Sequence, residues 1–312
     1  MNEACILVTG GAGFIGSHIV EELLDKKCKK IRIVDNLSTG NKNNIIPFLK
    51  HNNVEFIYGT IENLELCRKV VKGMTHICHQ AALGSVPRSV EDPLLSHETN
   101  VNGFLNILIA SKEEGIKRIV YASSSSVYGN DKNLPKKENN IGDVLSPYAA
   151  TKKINEIYAG VFSKCYDMEL IGLRYFNVFG PRQNPNGPYA AVIPKFIHQI
   201  KNNIRPIING SGEFSRDFTY VDNVVQANVL ALFTNNKICF DKVFNAGAGG
   251  RITIKYLFEL IKKLTASNIE PIFRETRMGD IEHSNACITN TVECLNYKPS
   301  VDFDAGIIKM LL

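Results

Sequence analysis

The chain predicts an α/β fold: a doubly wound parallel sheet with a smaller C-terminal lobe. Three observations carry that expectation. Short apolar runs alternate with helix-like stretches through the first half of the sequence. A glycine-spaced turn links the first run to the first helix. After Phe176 the rhythm gives way to shorter elements and a segment, residues 177–189, rich in Pro, Gly and Asn.

In chain order, strands are expected at residues 5–9 (CILVT), 31–35 (IRIVD), 54–58 (VEFIY), 76–79 (HICH) and 118–122 (RIVYA). The runs are apolar throughout rather than alternating, as strands covered on both faces are. Helices are expected between them at 14–27, 64–71 and 101–114, the βαβ order of a parallel sheet. A long helix is predicted from Ser146-Pro147 to Tyr166, followed by a strand at 170–174. Beyond Phe176, helices are expected at 191–201, 221–233 and 254–264. This divides the chain into a cofactor-binding domain, residues 1–176, and a lobe, 177–312, that is mainly substrate-binding but returns segments to the sheet. No internal repeat or low-complexity linker interrupts it.

Composition narrows the class. With 312 residues, 44% hydrophobic and 21% charged, the chain reads as an ordinary globular protein. No apolar run approaches the ~20 residues that span a bilayer. Residues 1–10 lack the basic and long apolar regions of a signal peptide, so a cytoplasmic location is expected. The formal net charge is +5, with lysines spread along the chain; the run Lys26-Lys27-Cys28-Lys29-Lys30 reads as a solvated helix end. Neither a nucleic-acid nor a membrane partner is expected. The eight cysteines form no Cys-x-x-Cys pair, so they read as free thiols and no metal site is expected.

Gly10, Gly13 and Gly16, in Thr9-Gly10-Gly11-Ala12-Gly13-Phe14-Ile15-Gly16, stand at the strand-to-helix junction. A pyrophosphate at a helix N-terminus needs exposed backbone N–H groups and no Cβ in its way. Asp35 ends the second expected strand, where a carboxylate can bind the adenosine ribose hydroxyls. The next residues, Asn36-Leu37-Ser38, offer no arginine for a 2′-phosphate, so NAD is expected rather than NADP. The sheet is therefore of the Rossmann type.

Tyr148 and Lys152 lie four residues apart, on one face of the long helix. A phenol titrates near ~10 and is a poor base at neutral pH; a nearby ammonium favours the phenolate. The pair suits proton transfer to or from a substrate hydroxyl while hydride moves to or from a nicotinamide. The run Ser123-Ser124-Ser125-Ser126 can supply a hydroxyl to the same oxygen.

These motifs, with His79-Gln80-Ala81-Ala82, residues 121–129 (YASSSSVYG) and 174–180 (RYFNVFG), resemble the extended short-chain dehydrogenases that modify nucleotide sugars. Within that family, residues 81–92 (AALGSVPRSVED), 188–195 (PYAAVIPK) and 215–223 (SRDFTYVDN) look most like the UDP-N-acetylglucosamine 4-epimerases. The resemblance implies Ser124, Tyr148 and Lys152 as catalytic residues. It implies a cofactor site of Gly10, Gly13, Phe14, Ile15, Gly16, Asp35, Asn36, Ser38, Thr39, Gly40, Thr60, Ile61, Gln80, Ala81, Ala82, Asn100, Tyr148, Lys152 and Tyr175. It implies that Gly84, Ser85, Ser124, Ser126, Asn177, Ala191, Arg216, Arg277, Asp280 and Ser284 hold a UDP-sugar, with Arg216 and Arg277 on the diphosphate and Asp280 on the uridine ribose. A small residue at Ser284 would leave room for an N-acetyl group.

The implied activity is reversible C4 epimerisation of UDP-GlcNAc and UDP-GalNAc, or also UDP-glucose and UDP-galactose, through a transient 4-keto sugar and bound NAD. The corresponding UDP-N-acetylglucosaminuronate is the alternative substrate. A dehydratase or decarboxylase carries an acid where this chain has Ser124–Ser126, which argues against both. A cofactor-sensing protein would be expected to lack the Tyr or the Lys. The family also implies a homodimer through helices 101–114 and 149–166. Two departures stand out: Gly59-Thr60-Ile61 replaces the usual Gly-Asp-Ile, which predicts weaker cofactor binding, and the chain ends at Leu312 within the expected last helix.

Overall fold

The computed structural model describes residues 1–186, 190–276 and 282–312. Arg277 and Asp280 lie outside the described residues.

The elements run β1 (Cys5–Thr9), α1 (Phe14–Asp25), β2 (Lys30–Asp35), β3 (Val54–Tyr58), α2 (Leu64–Val71) and β4 (His76–His79). Next come α3 (Val86–Glu91), α4 (Pro93–His97), a π-helical turn (Glu98–Asn102), α5 (Gly103–Glu114), β5 (Arg118–Ser124), α6 (Pro147–Tyr166) and β6 (Glu169–Tyr175). The remainder is β7 (Val178–Phe179), α7 (Val192–Lys201), β8 (Ile207–Asn209), β9 (Ser215–Arg216), β10 (Thr219–Tyr220), α8 (Val221–Phe233), β11 (Lys242–Ala246), β12 (Ile252–Thr253), α9 (Ile254–Leu264), β13 (Ile272–Arg274), α10 (Thr289–Leu295) and α11 (Phe303–Leu311).

Seven strands form one parallel sheet in the order β3-β2-β1-β4-β5-β6-β11. Alternate residues serve opposite faces. Ile6, Val8, Ile31 and Ile33 join the core that holds α1 and α8, whereas Leu7, Val34, Ile77 and Ile119 join the core that holds α2 and α5. Strand order reverses between β1 and β4, and the crevice beyond their carboxyl ends is where open α/β sheets bind ligands. The final strand, β11, pairs with β6 from Lys242↔Ile171 to Ala246↔Tyr175, so a segment beyond residue 176 completes the sheet.

Two helix boundaries differ from expectation by two residues, for local reasons. The first helix stops at Asp25, because Lys27 takes φ 57°. The helix expected from residue 101 starts at Gly103, after the π turn. The chain ahead of it is helical: α3 and α4 begin at prolines with a side-chain cap, Ser85 accepting from the Arg88 N–H and Asp92 from the Leu95 N–H. Pro87 and Pro93 start helices here rather than break them. Among the described residues, no helix is long and apolar enough to cross a membrane. All eight cysteines are free thiols.

Candidate active site

Gly10 turns the chain with φ 67° and donates its N–H to Val34 O at 2.8 Å. A Cβ at Gly10 would come within 2.7 Å of the Ala81 backbone, and one at Gly16 within 2.2 Å of Gly10 O. Glycine at these positions lets β1, β4 and α1 converge. No side chain caps α1, whose N-cap is Gly13. Its first-turn amides therefore remain available to an anion, reinforced by the helix dipole.

Thr9 ties the neighbouring strand end to this turn. Its hydroxyl accepts the N–H groups of Gln80 and Ala81, both at 3.2 Å, and lies 3.0 Å from His79 Nδ1. Burial holds the His79 imidazole neutral, down to about 3, so its ring nitrogen can accept the Thr9 proton.

A cleft opens above these groups. Gly10, Gly13, Phe14, Ile15, Gly16, Asp35, Asn36, Ser38, Thr39, Thr60, Ile61, Gln80, Ala81, Ala82, Gly84, Tyr148, Lys152 and Tyr175 all line it. So do Val34, Gly59, Leu83, Thr99, Ala122 and Ser123, which were not among the expected cofactor residues. Most are strand-end neighbours of motif residues, a positional signal that was available. Gly40 lies just behind the wall, where a Cβ would meet Asp35 Oδ1 at 2.8 Å. Asn100 is buried and turned away: its amide bonds Leu83 N, Leu83 O and Thr151 Oγ1 at 2.7, 3.2 and 3.1 Å.

Asp35 is 8% exposed. Its carboxylate accepts the Leu37 N–H at 2.8 Å and the Ala12 N–H at 3.0 Å. Burial raises its pKa and those amides oppose the rise. An uncapped helix start, a carboxylate on the same cleft wall, and glycines that leave no room for a Cβ together fit a dinucleotide without a 2′-phosphate.

At the other end, Lys152 is 2% exposed and donates from Nζ to Ala122 O at 2.8 Å. The ammonium lies 5.9 Å from the centroid of the Tyr148 ring. Burial lowers Lys152 to about 8 and raises Tyr148, while a hydrogen bond from Ser124 pulls the phenol back down. Ser124 is oriented in turn: its Oγ accepts from Ser126 N at 3.2 Å and lies 2.9 Å from Ser126 Oγ. Tyr148 sits at the start of α6, where Ser146 accepts the Ala149 N–H at 3.1 Å. Ser89 of α3 accepts the Tyr148 N–H at 3.0 Å, satisfying an amide that the helix itself leaves unpaired.

Behind the catalytic strand, Glu156 of α6 accepts from Ser123 Oγ at 2.6 Å and is clamped by Arg174 at 2.8 and 2.9 Å. This buried pair holds the end of β5, helix α6 and β6 together.

The residues expected to hold the UDP-sugar are less concentrated. Gly84 lines the cleft; Ser85, Ser124, Ser126, Asn177, Ala191, Arg216 and Ser284 do not, Ser124 following the lining residue Ser123 directly. Ser85 caps α3 with φ 120°. Ala191 is the N-cap of α7. Asn177 Nδ2 donates to Asp217 O at 3.3 Å. Arg216 Nη1 donates to Ser215 O at 3.0 Å and Glu282 O at 3.1 Å, and Ser284 N donates to Ser215 O at 3.1 Å. One carboxylate joins these pieces. Asp217, fully buried, accepts the N–H groups of Ala248, Gly249 and Ala286 at 2.9, 2.9 and 3.0 Å. Burial raises its pKa and the three amides oppose the rise.

The NAD dependent epimerase/dehydratase family model matches residues 6–247. A UDP-glucose 4-epimerase of Mycolicibacterium smegmatis is 33% identical over 305 residues, covering 97% of this chain and 96% of that protein. A solved UDP-N-acetylglucosamine 4-epimerase of Methanobrevibacter ruminantium, in complex with UDP-N-acetylmuramic acid, is 41% identical, superposes with a TM-score of 0.94 and covers 100% of this chain and 98% of its own. A solved UDP-glucose 4-epimerase of Thermotoga maritima with UDP-glucose is 35% identical at a TM-score of 0.91, covering 98% and 97%. With the glycine turn, the acidic strand end and the Tyr–Lys pair converging on one cleft, the chain belongs to the NAD dependent epimerase/dehydratase family, and NAD is its cofactor.

Proposed function

We propose that this UDP-sugar 4-epimerase interconverts UDP-GlcNAc and UDP-GalNAc, with UDP-glucose and UDP-galactose as a secondary pair. The observation that carries the N-acetyl preference is the small side chain of Ser284, on a segment bonded through its backbone to Ser215, next to Arg216. In this reading that segment borders the sugar, and a bulky aromatic there would take the space an acetamido group needs. The solved relative named for UDP-N-acetylglucosamine, 41% identical, supports the same substrate class.

NAD, held by the α1 N-terminus and Asp35, would supply the hydride acceptor and donor for C4 of the sugar. The chain supplies the rest. Tyr148 takes the O4 proton as the carbonyl forms, and Ser124 hydrogen-bonds the same oxygen. Lys152 favours the phenolate through its charge. The 4-keto sugar turns over within the cleft, hydride returns to its opposite face, and Tyr148 gives the proton back. The net reaction neither oxidises nor reduces. Asp35 would hold the adenosine ribose and the α1 N-terminus the pyrophosphate. Arg216, Arg277 and Asp280 would anchor UDP, so that the hexose can be held loosely enough to rotate.

In this reading residues 1–176 are the cofactor-binding domain and 177–312 mainly the substrate lobe. We also propose a homodimer through α5 and α6; Ile157, Val161 and Tyr166 of α6 are exposed apolar groups that a second copy would cover.

The test is proton NMR of the anomeric signals with UDP-GlcNAc, UDP-glucose and UDP-N-acetylglucosaminuronate in turn. Faster turnover of UDP-GlcNAc than of UDP-glucose is expected. Preference for UDP-glucose overturns the Ser284 argument, and turnover of the uronate alone overturns the substrate assignment.

A further inference from the structure

Helix α8 packs the inner core with Val224, Ala227, Ala231 and Leu232, yet it places a fully buried amide, Asn228, among them. Asn228 Nδ2 donates to Val224 O at 2.8 Å and to the Tyr175 phenol oxygen at 2.8 Å. Val224 O can only accept, so it fixes which way the amide faces. Asn228 Oδ1 then accepts from Gln80 Nε2 at 3.1 Å. The Tyr175 hydroxyl lies 2.9 Å from Gln80 Oε1 and 3.0 Å from Asn228 Oδ1. Its single proton goes to Gln80 Oε1, the nearer acceptor, because Asn228 meets the hydroxyl through its Nδ2 donor. The three side chains close a ring in which each donates to the next. The Cys78 thiol, 3.6 Å from Asn228 Oδ1, packs against it.

Two members of that ring, Gln80 and Tyr175, line the cleft beside Tyr148 and Lys152. The third does not. We propose that Asn228 is a positioning residue for the cofactor: by closing the ring it holds Gln80 and Tyr175 in place on the cleft wall and commits the Tyr175 proton to Gln80. The cleft then presents two tyrosines with different duties. Tyr148 has Ser124 and Lys152 beside it and exchanges protons. Tyr175 is committed to the ring and serves as a fixed wall. Without Asn228, two rotamer-rich side chains must be ordered each time the cofactor binds. Immobilising two such side chains weakens binding by about tenfold.

The inference rests on the reading of this cleft as an NAD site, and the experiment separates the two. The cofactor-stripped wild type is titrated with NAD by calorimetry, alongside Asn228→Leu, Tyr175→Phe and the double variant, with melting temperature recorded for each. Absence of NAD binding by the wild type overturns the cleft reading itself. With the wild type binding, each single variant is expected to bind about tenfold more weakly, and the double variant no more weakly than the worse single, because one ring is broken only once. A folded Asn228→Leu protein that binds NAD within twofold of the wild type overturns the proposal. So does a double variant whose loss is the product of the singles. If Asn228→Leu does not fold, Asn228→Asp gives the same readout: it keeps the size but cannot donate to Tyr175 or Val224.

Discussion

At the glycine turn, everything that prepares a phosphate site lies within residues 9–16, and the groups on offer are backbone amides of α1. By contrast Asn177, Ala191, Arg216 and Ser284, outside the cleft lining, come from four separate stretches of chain, and the carboxylate of Asp217 joins the loops around Arg216 and Ser284. The first region is local and made of main chain, so glycine spacing is nearly its whole specification. The second depends on long-range side-chain bonds that no short motif encodes. The first should therefore be damaged by added volume, and the second by a lost carboxylate.

The largest expected effect lies where the two regions meet. Tyr148→Phe removes the proton acceptor but keeps the ring, and turnover should fall by about a thousandfold. NAD affinity, by calorimetry, should stay within a few-fold. An equal loss in both would mean that Tyr148 belongs to the cofactor wall rather than to the chemistry.

Asp217→Ala comes next. It leaves three buried amides without an acceptor, at about 1–3 kcal/mol each, so a loss of at least about 3 kcal/mol in urea unfolding is expected. In protein that remains folded, KM for the UDP-sugar should rise while NAD affinity holds. NAD affinity falling in parallel would erase the distinction between the regions.

Lys152 provides a pH test of similar size. Its folded pKa, about 8, lies below its ordinary 10.5. Burial therefore costs stability in full below about pH 8, and the cost fades as pH rises toward 10.5, where both states have lost the proton. The difference corresponds to about 3 kcal/mol. Cofactor-free protein should gain stability over that window in denaturant titrations, and Lys152→Met should remove this gain. A wild-type profile no steeper than that of the variant would contradict it.

The smallest effect should come from Ser89→Ala. It removes the acceptor of the Tyr148 N–H and should cost about 1 kcal/mol, read as a several-fold drop in kcat with KM for NAD unchanged. Ser89→Thr, which keeps the hydroxyl, should restore most of the rate.

The sequence predicted β1, β3, β4, α2, α8 and α9 at their observed limits, because apolar runs and helical periodicity are local signals. It missed α3 and α4, whose starts are written in Pro87 and Pro93, residues more often read as breakers. In the candidate site, the glycines, Asp35, Tyr148 and Lys152 were legible from spacing and residue chemistry. Asn228 left only a faint trace, one of four polar residues in α8, and nothing local says that it faces Tyr175 and Gln80. Asn100, a family position read as a cofactor contact, bonds Leu83 and Thr151, partners that no local signal announced.

By itself, then, the sequence determined the parallel sheet, the phosphate turn and the Tyr–Lys pair, because each depends on neighbours within one turn or one strand. Only the tertiary structure decided which side chains stand behind them. Ser89 under Tyr148, Glu156 and Arg174 behind Ser123, Asp217 among three loops and Asn228 closing its ring are contacts between residues 18 to 150 positions apart, from Glu156–Arg174 to Cys78–Asn228. Such contacts exist only once the apolar faces have packed, since it is burial that makes an unpaired amide or carboxylate costly enough to demand a partner.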